Sequence, residues 1–376
     1  MNGNKLDVLF GDRLVGTLSE TPDHRVAFAY THEWIENGFP VSPFSLPVKE
    51  GVFLPSAMVF GGLFGVFADS LPDTWGQLLM NRMLRNRGRD PGRVGQLARL
   101  AIIGDAGMGA IRYQPASETW LAQEISDLDA LAQECREILN RGGTGDADRL
   151  FALAGSSGGA RPKVMTDEWI IKFPASTEDQ DSGTMEKDYM DCAMRCGIIV
   201  PETRLLPSQR CSGYFSVKRF DRERLQDGSL KRRHMLTAAA ILETDWHTPS
   251  LDYHTLMKLT KILCCDRRSE VEQMFRRMCF NVFAHNRDDH SKNFSYVYNE
   301  AKDRWSLSPA YDLTWSSTYF GEHTTTVDGN GRDPGLKELL AVGKAAGLSA
   351  AWCRKTAEHI RDEAFPLEAK YRNIRQ

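Results

Sequence analysis

A run of nine consecutive polar residues, 285–293, carries the side chains best suited to chemistry in this sequence. Within it Asp288 and Asn293 are five positions apart, and the next isolated carboxylate in an apolar setting is Asp312. Protein-kinase-type phosphotransferases use one Asp to accept the proton of the attacking hydroxyl, and an Asn and a second Asp to hold Mg²⁺ on ATP. The spacing therefore predicts Asp288 as a general base and Asn293 and Asp312 as oxygen ligands of Mg²⁺.

The loop admits a second interpretation. A hydrogen-bonded turn at a helix end would explain the many polar side chains, but not the Asp-x4-Asn spacing followed by a later Asp in apolar surroundings. Arg287 and Lys292 would add positive charge near a transferring phosphoryl group. His290 fits a nucleotide contact and a structural histidine equally well. We expect a phosphotransferase site here, with the role of His290 open.

Two elements must position this loop. Residues 270–284 have the pattern of an amphipathic helix that leads into it, and residues 294–298 have the pattern of a strand that leads out. A hairpin-like return after that strand would bring Asp312 back towards the loop. The site is thus expected at the junction of a helix and a hairpin.

A lysine inside an apolar strand pattern is the second candidate. Lys172 ends the run Trp-Ile-Ile-Lys of residues 169–172, where a buried ammonium group is costly unless it reaches a partner. In a kinase such a lysine contacts the ATP phosphates and is held by a glutamate on the following helix. Glu186 is placed to do so, with Asp188 as a rival. An edge-strand lysine with its ammonium group in water is the alternative.

A flexible Gly/Ser loop, residues 155–163, precedes that strand. It is not a Walker P-loop, because Lys163 is followed by Val164 instead of Ser or Thr. Its glycines would still let backbone N–H groups approach phosphate oxygens. Phe220 is a candidate for stacking on adenine, although an apolar residue that simply packs is at least as common. The candidate nucleotide contacts in the loop are Ser157, Gly158, Gly159, Ala160 and Lys163.

The remaining chain predicts an α+β fold. Residues 1–60 alternate short apolar runs with turn residues, as β-rich units do, and the glycines of residues 104–109 favour a β-turn over a dinucleotide site. The arginines of residues 82–99 suit either a solvated helix face or a patch for phosphate or an acidic partner. After residue 222 the pattern is mainly helical. The expected helices cover about 234–246, 251–264, 269–286, 335–347 and 349–373.

Composition narrows the class of protein. The 376 residues are 41 % hydrophobic and 26 % charged, which is ordinary globular composition. A net charge of −3 and a pI of about 6.3 give no global argument for nucleic-acid or membrane binding. Neither a signal peptide nor a membrane-spanning run is evident, so we expect a cytoplasmic protein. The eight cysteines lack any Cys-x-x-Cys pair and are expected to be reduced core residues.

Five motifs follow one another along the chain. They are Ser-Ser-Gly-Gly-Ala-Arg-Pro-Lys (156–163), Ile-Ile-Lys-Phe-Pro (170–174), Lys-Arg-Phe-Asp-Arg (218–222), Asp-Asp-His-Ser-Lys-Asn-Phe (288–294) and Ser-Pro-Ala-Tyr-Asp-Leu (308–313). Together they closely resemble the HipA toxin kinases. The front of the chain, with Ser-Pro-Phe-Ser-Leu-Pro at 42–47 and Gly-Asp-Ala-Gly-Met-Gly-Ala at 104–110, resembles that family's N-terminal subdomain. The resemblance therefore covers nearly the whole chain.

The resemblance implies a two-lobe protein-kinase-like fold with an additional N-terminal β-rich subdomain and a mainly helical C-terminal lobe. The implied division is residues 1–112 for the subdomain, 113–222 for the kinase-like N-lobe and 223–376 for the C-lobe. It implies the roles given above for the base, the Mg²⁺ ligands and Lys172, and it places His290 and Phe220 in the nucleotide pocket. It also implies autophosphorylation of a Gly-rich-loop serine, best matched by Ser156 with Ser157 adjacent, which ejects the loop and silences the kinase.

The implied biology is that of a toxin–antitoxin pair. Family members are serine/threonine kinases that phosphorylate an aminoacyl-tRNA synthetase and halt translation. They are bound by a helix-turn-helix antitoxin of HipB type, through which alone they meet operator DNA. This sequence departs from the pattern at Asp289, where members often have a small residue, and at Lys218, where an acidic residue can stand. Both departures leave details of the nucleotide pocket open.

Two other functions remain possible on sequence grounds. A small-molecule kinase of related fold would show the same base and metal ligands, but would not need the front 110 residues or the serine of the loop. A catalytically inactive co-repressor module would not need the full set of catalytic side chains that is present here. Phosphate transfer to Ser156 or Ser157 distinguishes the toxin kinase from both.

Overall fold

The computed structural model describes residues 5–118, 125, 127–139, 146–156, 158–175, 180–318 and 320–372. The helices are α1 (His32–Asn37), α2 (Gly65–Ala68), α3 (Thr74–Asn86), α4 (Gln96–Ile103), α5 (Leu128–Leu139), α6 (Ala147–Ala154), α7 (Ser182–Arg195), α8 (Ala238–Leu242), α9 (Tyr253–Leu263), α10 (Arg268–Phe283), α11 (Leu336–Ala345) and α12 (Ala350–Arg372). The strands are β1 (Lys5–Phe10), β2 (Arg13–Glu20), β3 (Val26–Tyr30), β4 (Ile111–Gln114), β5 (Lys163–Met165), β6 (Trp169–Lys172), β7 (Thr203–Leu206), β8 (Tyr214–Lys218), β9 (Arg222–Arg224), β10 (Leu230–Arg232), β11 (Met235–Thr237), β12 (Leu251–Asp252), β13 (Ser295–Asn299), β14 (Arg304–Leu307) and β15 (Thr325–Thr326).

The chain folds into two compact units. The first comprises Met1–Gln180, Leu206–Leu236 and Ala240–Thr244, and the second Asp181–Leu205, Thr237–Ala239 and Asp245–Gln376. Strands and helices occur in both, so the predicted α+β class is confirmed.

The first unit begins with an antiparallel sheet in the order β3-β2-β1-β4. Leu6, Val8 and Phe10 of β1 are buried and alternate with more exposed residues, which is the period of a strand with one face on the core. The β1–β2 hairpin turns at Gly11, whose φ of 59° suits glycine. The β-rich front predicted from the sequence is confirmed.

A second antiparallel sheet of the first unit contains β5, β6 and β8. In its register Lys172 lies opposite Lys163 on one side and Phe215 on the other. Helices α3, α5 and α6 pack with this sheet around one hydrophobic core. The largest members of the core include Trp75, Phe151, Phe173 and Tyr214.

Several arginines of residues 82–99 serve this unit internally. Arg87 pairs with Asp148 at 2.7 Å and also with Glu118. Arg99 donates to the carbonyl of Pro91 at 2.8 Å. Arg85, Arg89 and Arg93 are exposed, as the solvated-face interpretation expects. The interpretation as a patch for phosphate or an acidic partner stays a prediction.

The second unit is mainly helical, as predicted. Helix α10 packs against α9 and α12, and α12 also contacts α7 and α11. Four of the five expected helices are present as α9, α10, α11 and α12. The expectation for residues 234–246 is wrong in its first part, because residues 235–237 form strand β11 and only Ala238–Leu242 is helical. There the backbone N–H of Ala238 donates to Phe294 beside β13, and this tertiary pairing outweighs the local pattern.

None of the described helices combines the length and apolar character that crossing a bilayer requires. All cysteines except Cys211 and Cys265 are buried.

Candidate active site

The polar loop of residues 285–293 begins where α10 ends. Ala284 caps the helix, and His285 then adopts a left-handed conformation with φ 57°, which turns the chain away from the helix axis. Burial, together with the smaller effect of the nearby Arg287, lowers the pKa of His285 to about 4. Its ring stacks on Trp315 at 5.3 Å. The loop therefore leaves the helix in a fixed direction.

Asp288 and Asn293 are held together within this loop. The Asn293 Nδ2 group donates to the Asp288 carbonyl at 2.7 Å, and residues Ser291–Asn293 form a 3-10 turn between them. With its nitrogen bound, the amide of Asn293 presents its Oδ1 atom as the end available to a cation. The Asp288 side chain is about half exposed, as a base that must meet a substrate requires.

The β13–β14 hairpin brings the chain back to this loop. Ser308 donates its N–H to the Ser295 carbonyl at 2.9 Å, and the Tyr311 hydroxyl donates to the Lys292 carbonyl at 2.6 Å and also bonds the Ser295 hydroxyl. The residue before Asp312 is thus tied to the residue before Asn293. Asp312 itself has φ 57°, a left-handed conformation that is uncommon outside glycine and occurs at functional turns.

Asp289 lies at the centre of a buried hydrogen-bond network. Its side chain is fully buried; Oδ2 accepts from the Tyr253 hydroxyl at 2.9 Å and lies 3.0 Å from His323 Nδ1, and Oδ1 accepts from the Thr325 N–H at 3.1 Å. Tyr253 in turn accepts from Asn281 of α10 at 2.9 Å. The network fixes the residue after the candidate base from two sides.

From the sequence, Asp289 was seen only as a departure from the family pattern, and its place in this network was missed. The available signal was an acidic residue directly beside the candidate base with no chemical task of its own. Such a residue requires a structural partner, but the sequence does not indicate which one.

Arg287 attaches the loop to the segment that follows Asp312. Its guanidinium donates to the carbonyls of Gly321 and, at 3.1 Å, Arg332. The Arg287 carbonyl accepts from the N–H of Thr324 at 3.0 Å. The positive charge that the sequence placed near a phosphoryl group is therefore engaged with residues 321–333, where it stabilises the backbone beside the base.

His290 and Lys292 share a neighbour that the sequence analysis did not single out. The ring of Trp246 lies 5.0 Å from the His290 ring and 5.4 Å beneath the Lys292 ammonium nitrogen. His290 Nε2 lies 3.8 Å from Asp288 Oδ1. Its buried Nδ1 has no hydrogen-bond partner among the described residues, which suits a nucleotide contact and a structural histidine alike. The role of His290 stays open.

The Gly-rich loop lies in the first unit. Ser156 is buried, and its Oγ accepts from the Met108 N–H at 2.9 Å. Gly155 has φ 54°, and a Cβ there would approach the Ala106 carbonyl oxygen to 2.9 Å, so only glycine fits. The Lys163 ammonium donates to the Gly158 carbonyl, which closes the loop on itself.

The other nucleotide candidates are placed as follows. Gly159 has φ 92° and accepts from the Trp75 N–H at 3.3 Å, and Ala160 follows it in the same turn. Ser157 lies outside the described residues. The Lys172 ammonium nitrogen stands 5.7 Å from the centre of the Phe215 ring. Phe220 is half-buried between the buried residues Arg219 and Asp221. The roles of these residues as nucleotide contacts stay predictions.

Glu186 is buried in α7 of the second unit. Its pairing with Lys172 stays a prediction.

The predicted Mg²⁺ site has two protein ligands, the amide of Asn293 and the carboxylate of Asp312. Among the described residues no group of three or more His, Cys, Asp and Glu side chains is arranged to hold a metal ion. The predicted site has only one side chain of these four types, the carboxylate of Asp312, because its second ligand is an amide. Such a set fits Mg²⁺, which keeps several waters and takes substrate phosphates as further ligands.

Two family models and several known proteins match this chain. A model of the HipA N-terminal domain matches residues 6–114, and a model of the HipA-like C-terminal domain matches residues 155–366. Two putative kinases of Sinorhizobium fredii are similar: Y4dM is 26 % identical, covering 86 % of this chain and 80 % of its own length, and Y4mE is 24 % identical, covering 97 % and 91 %.

A solved HipA–HipB toxin–antitoxin complex with operator DNA, from Shewanella oneidensis MR-1, shares the fold. The TM-score is 0.73 at 19 % identity, and the match covers 99 % of this chain and 91 % of that one. With both domain models matched in order along the sequence, and the C-terminal model alone spanning more than half of it, this chain belongs to the HipA family.

Proposed function

We propose that this chain is an ATP- and Mg²⁺-dependent serine/threonine protein kinase, the toxin of a HipA–HipB-like pair. The observation that carries the proposal is the hydrogen-bonded join of Asp288 to Asn293, with Tyr311 tying the turn of Asp312 to the same loop. Family membership and the similarity to putative kinases support it. The functional division proposed is residues 1–112, 113–222 and 223–376.

Asp288, Asn293 and Asp312 have separate tasks in the proposed mechanism. Asp288, half exposed, accepts the proton of the attacking hydroxyl as that oxygen bonds to the γ-phosphorus and the bond to ADP breaks. Asn293 Oδ1 and the Asp312 carboxylate would hold Mg²⁺, which would supply positive charge to neutralise the phosphate oxygens. The Asp289 network keeps the base in place while the proton moves.

The proposed nucleotide contacts are the residues that the sequence predicted. Lys172 contacts the phosphates and is paired with Glu186, while His290 and Phe220 contact the adenine of the nucleotide. Backbone N–H groups of the Gly-rich loop approach the phosphate oxygens. The loop residues assigned are Ser157, Gly158, Gly159, Ala160 and Lys163.

The loop serine supplies regulation. Ser156 is buried with its hydroxyl bonded to the Met108 N–H, so the serine must leave this position to be phosphorylated. A phosphoryl dianion is costly to bury at this site, where among the described residues the donor to Ser156 is the neutral N–H of Met108. Autophosphorylation of Ser156, or of Ser157 beside it, would therefore hold the loop out and silence the kinase.

The partners are proposed from the family. The solved relative is a complex of HipA with HipB and operator DNA, which supports a helix-turn-helix antitoxin here and contact with DNA only through it. The protein substrate proposed is an aminoacyl-tRNA synthetase, in the cytoplasm, whose phosphorylation would inhibit translation.

The test is the new phosphoserine that the kinase makes. Brief expression of wild type and of Asp288→Asn, followed by mass spectrometry of the proteome, should show one synthetase phosphoserine with wild type only. A proteome unchanged by wild type, together with phosphate transfer to a sugar or aminoglycoside in vitro, would instead establish a small-molecule kinase. Absence of any ATP turnover by wild type would favour the inactive co-repressor.

A further inference from the structure

The turn of residues 105–109 in the first unit is held by two arginines through its backbone carbonyls. Arg232 donates from all three guanidinium nitrogens: Nη1 to Asp105 at 2.8 Å, Nη2 to Gly107 at 2.7 Å and Nε to Gly109 at 2.9 Å. Arg222 donates to Gly109 at 3.0 Å and to Gly107 at 3.1 Å. Two side chains thus satisfy three carbonyls that are more than a hundred residues away in sequence.

A buried carboxylate completes this arginine cage, defined as Arg222, Arg232 and Asp221 around residues 105–109. Asp221 Oδ2 accepts from the Gly109 N–H at 2.9 Å and from Arg222 at 2.6 Å. Burial would raise the pKa of Asp221, but Arg219 and Arg222 beside it hold the pKa well below its usual range. Burial lowers the pKa of Arg222 to about 9 and that of Arg232 to about 10, so both guanidinium groups remain charged at neutral pH.

The caged turn contacts the Gly-rich loop directly. The Met108 N–H donates to Ser156 Oγ at 2.9 Å. Gly155 lies so close to Ala106 that a Cβ would come within 2.9 Å of its carbonyl oxygen. Arginine holds three of the turn carbonyls, and the N–H of Met108 in the same turn donates to the serine. The turn and the loop therefore form one continuous packed surface.

We propose that Arg232 is a positioning residue for the Gly-rich loop, acting through the turn of residues 105–109. The proposal rests on the nucleotide role of that loop given above and extends it to the front segment of the chain. The front segment would thereby set how often Ser156 is released from its buried position. The hydrogen bonds of Arg232 go to the turn, so its effect on the loop passes through the contacts of the turn at Met108 and Ala106.

The test compares two adjacent arginines. Arg232→Gln removes the three-carbonyl grip, whereas Arg233→Gln removes an exposed arginine whose guanidinium pairs with Glu223 at 2.8 Å. Hydrogen exchange on the full chain without nucleotide is followed for peptides covering residues 105–110 and 154–156. We expect Arg232→Gln to speed exchange in both peptides about tenfold, and Arg233→Gln to leave both unchanged.

Kinetics provide a second readout that a general loss of stability would not produce. With Mg-ATP, Arg232→Gln should raise the KM for ATP about fivefold and leave kcat within about twofold, because the loop is released but the base is not. Should Arg232→Gln fail to fold by circular dichroism, Arg232→Lys serves, since one ammonium group cannot bridge three carbonyls.

The exchange result stands independently of catalysis. Equal exchange of the loop peptide in Arg232→Gln and Arg233→Gln would overturn the inference even in an active kinase. A protein that shows the faster exchange but no phosphotransfer would refute the proposed function and leave the mechanical link intact. Faster exchange in residues 105–110 with unchanged exchange in residues 154–156 would also overturn it, since the link through Met108 would then be absent.

Discussion

Replacing Asp289 by alanine tests whether the buried network supports the catalytic loop. Asp289→Ala removes the acceptor for the Tyr253 hydroxyl and the Thr325 N–H, and the neighbour of His323 Nδ1. A buried donor that loses its acceptor costs about 1–3 kcal/mol. Since all three lie in the interior and water can recover part of the loss in the space vacated, we expect a destabilisation of about 3–5 kcal/mol.

This loss is measurable by denaturation. For a unit of roughly 150–250 residues it corresponds to a fall in melting temperature of about 10 °C. Asp333→Ala is the matched control, because Asp333 lies on the segment of residues 321–333 that also contains His323 and Thr325, and its side chain is exposed. This substitution should change the free energy of unfolding by less than about 0.5 kcal/mol. A loss below about 1 kcal/mol for Asp289→Ala would show that the network does not support the loop.

Three further substitutions follow from the geometry. Asn293→Ala should raise the Mg²⁺ concentration needed for half-maximal phosphotransfer about tenfold at fixed ATP; an unchanged Mg²⁺ titration would remove Asn293 from the ligands. Tyr311→Phe, which loses the bond to the Lys292 carbonyl, should cost about 1 kcal/mol and shift the same titration in the same direction, less strongly. His234 donates from Nε2 to a buried carbonyl, and burial lowers its pKa to about 4, so it contributes stability above pH 6.5 that is lost as pH falls towards 4. The free energy of unfolding is measured by denaturation at pH 6.5 and at pH 4. Between these pH values His234→Gln should lose up to about 3 kcal/mol less of it than wild type. The control His24→Gln, at an exposed site, should behave as wild type.

Local spacing explains what could be predicted. Asp288 and Asn293 lie within one loop, and their join requires only a 3-10 turn between them. The return to Asp312 follows from a single hairpin, of which the first strand was predicted at residues 294–298. The helices α9 to α12 were predicted because their apolar periodicity spans several turns.

Contacts between distant segments explain what was missed. Asp289 meets Tyr253 and His323 only because α9 and the segment after Asp312 converge on the loop, which no local pattern specifies. The grip of Arg232 on backbone carbonyls leaves no signal in the sequence of residues 105–109, since any residue supplies a carbonyl. Strand β11 was taken for helix because its pairing partner is remote.

The most direct measurement is site mapping of phosphate after incubation of the purified chain with Mg-ATP. Wild type should incorporate phosphate at Ser156 or Ser157, and Asp288→Asn, in which the half-exposed carboxylate is replaced by an amide of equal size, should incorporate less by a factor of about 10²–10⁴ while still binding ATP. Equal phosphate in the two proteins would contradict the assignment of Asp288 as the base, and with it the account of this loop as the catalytic centre.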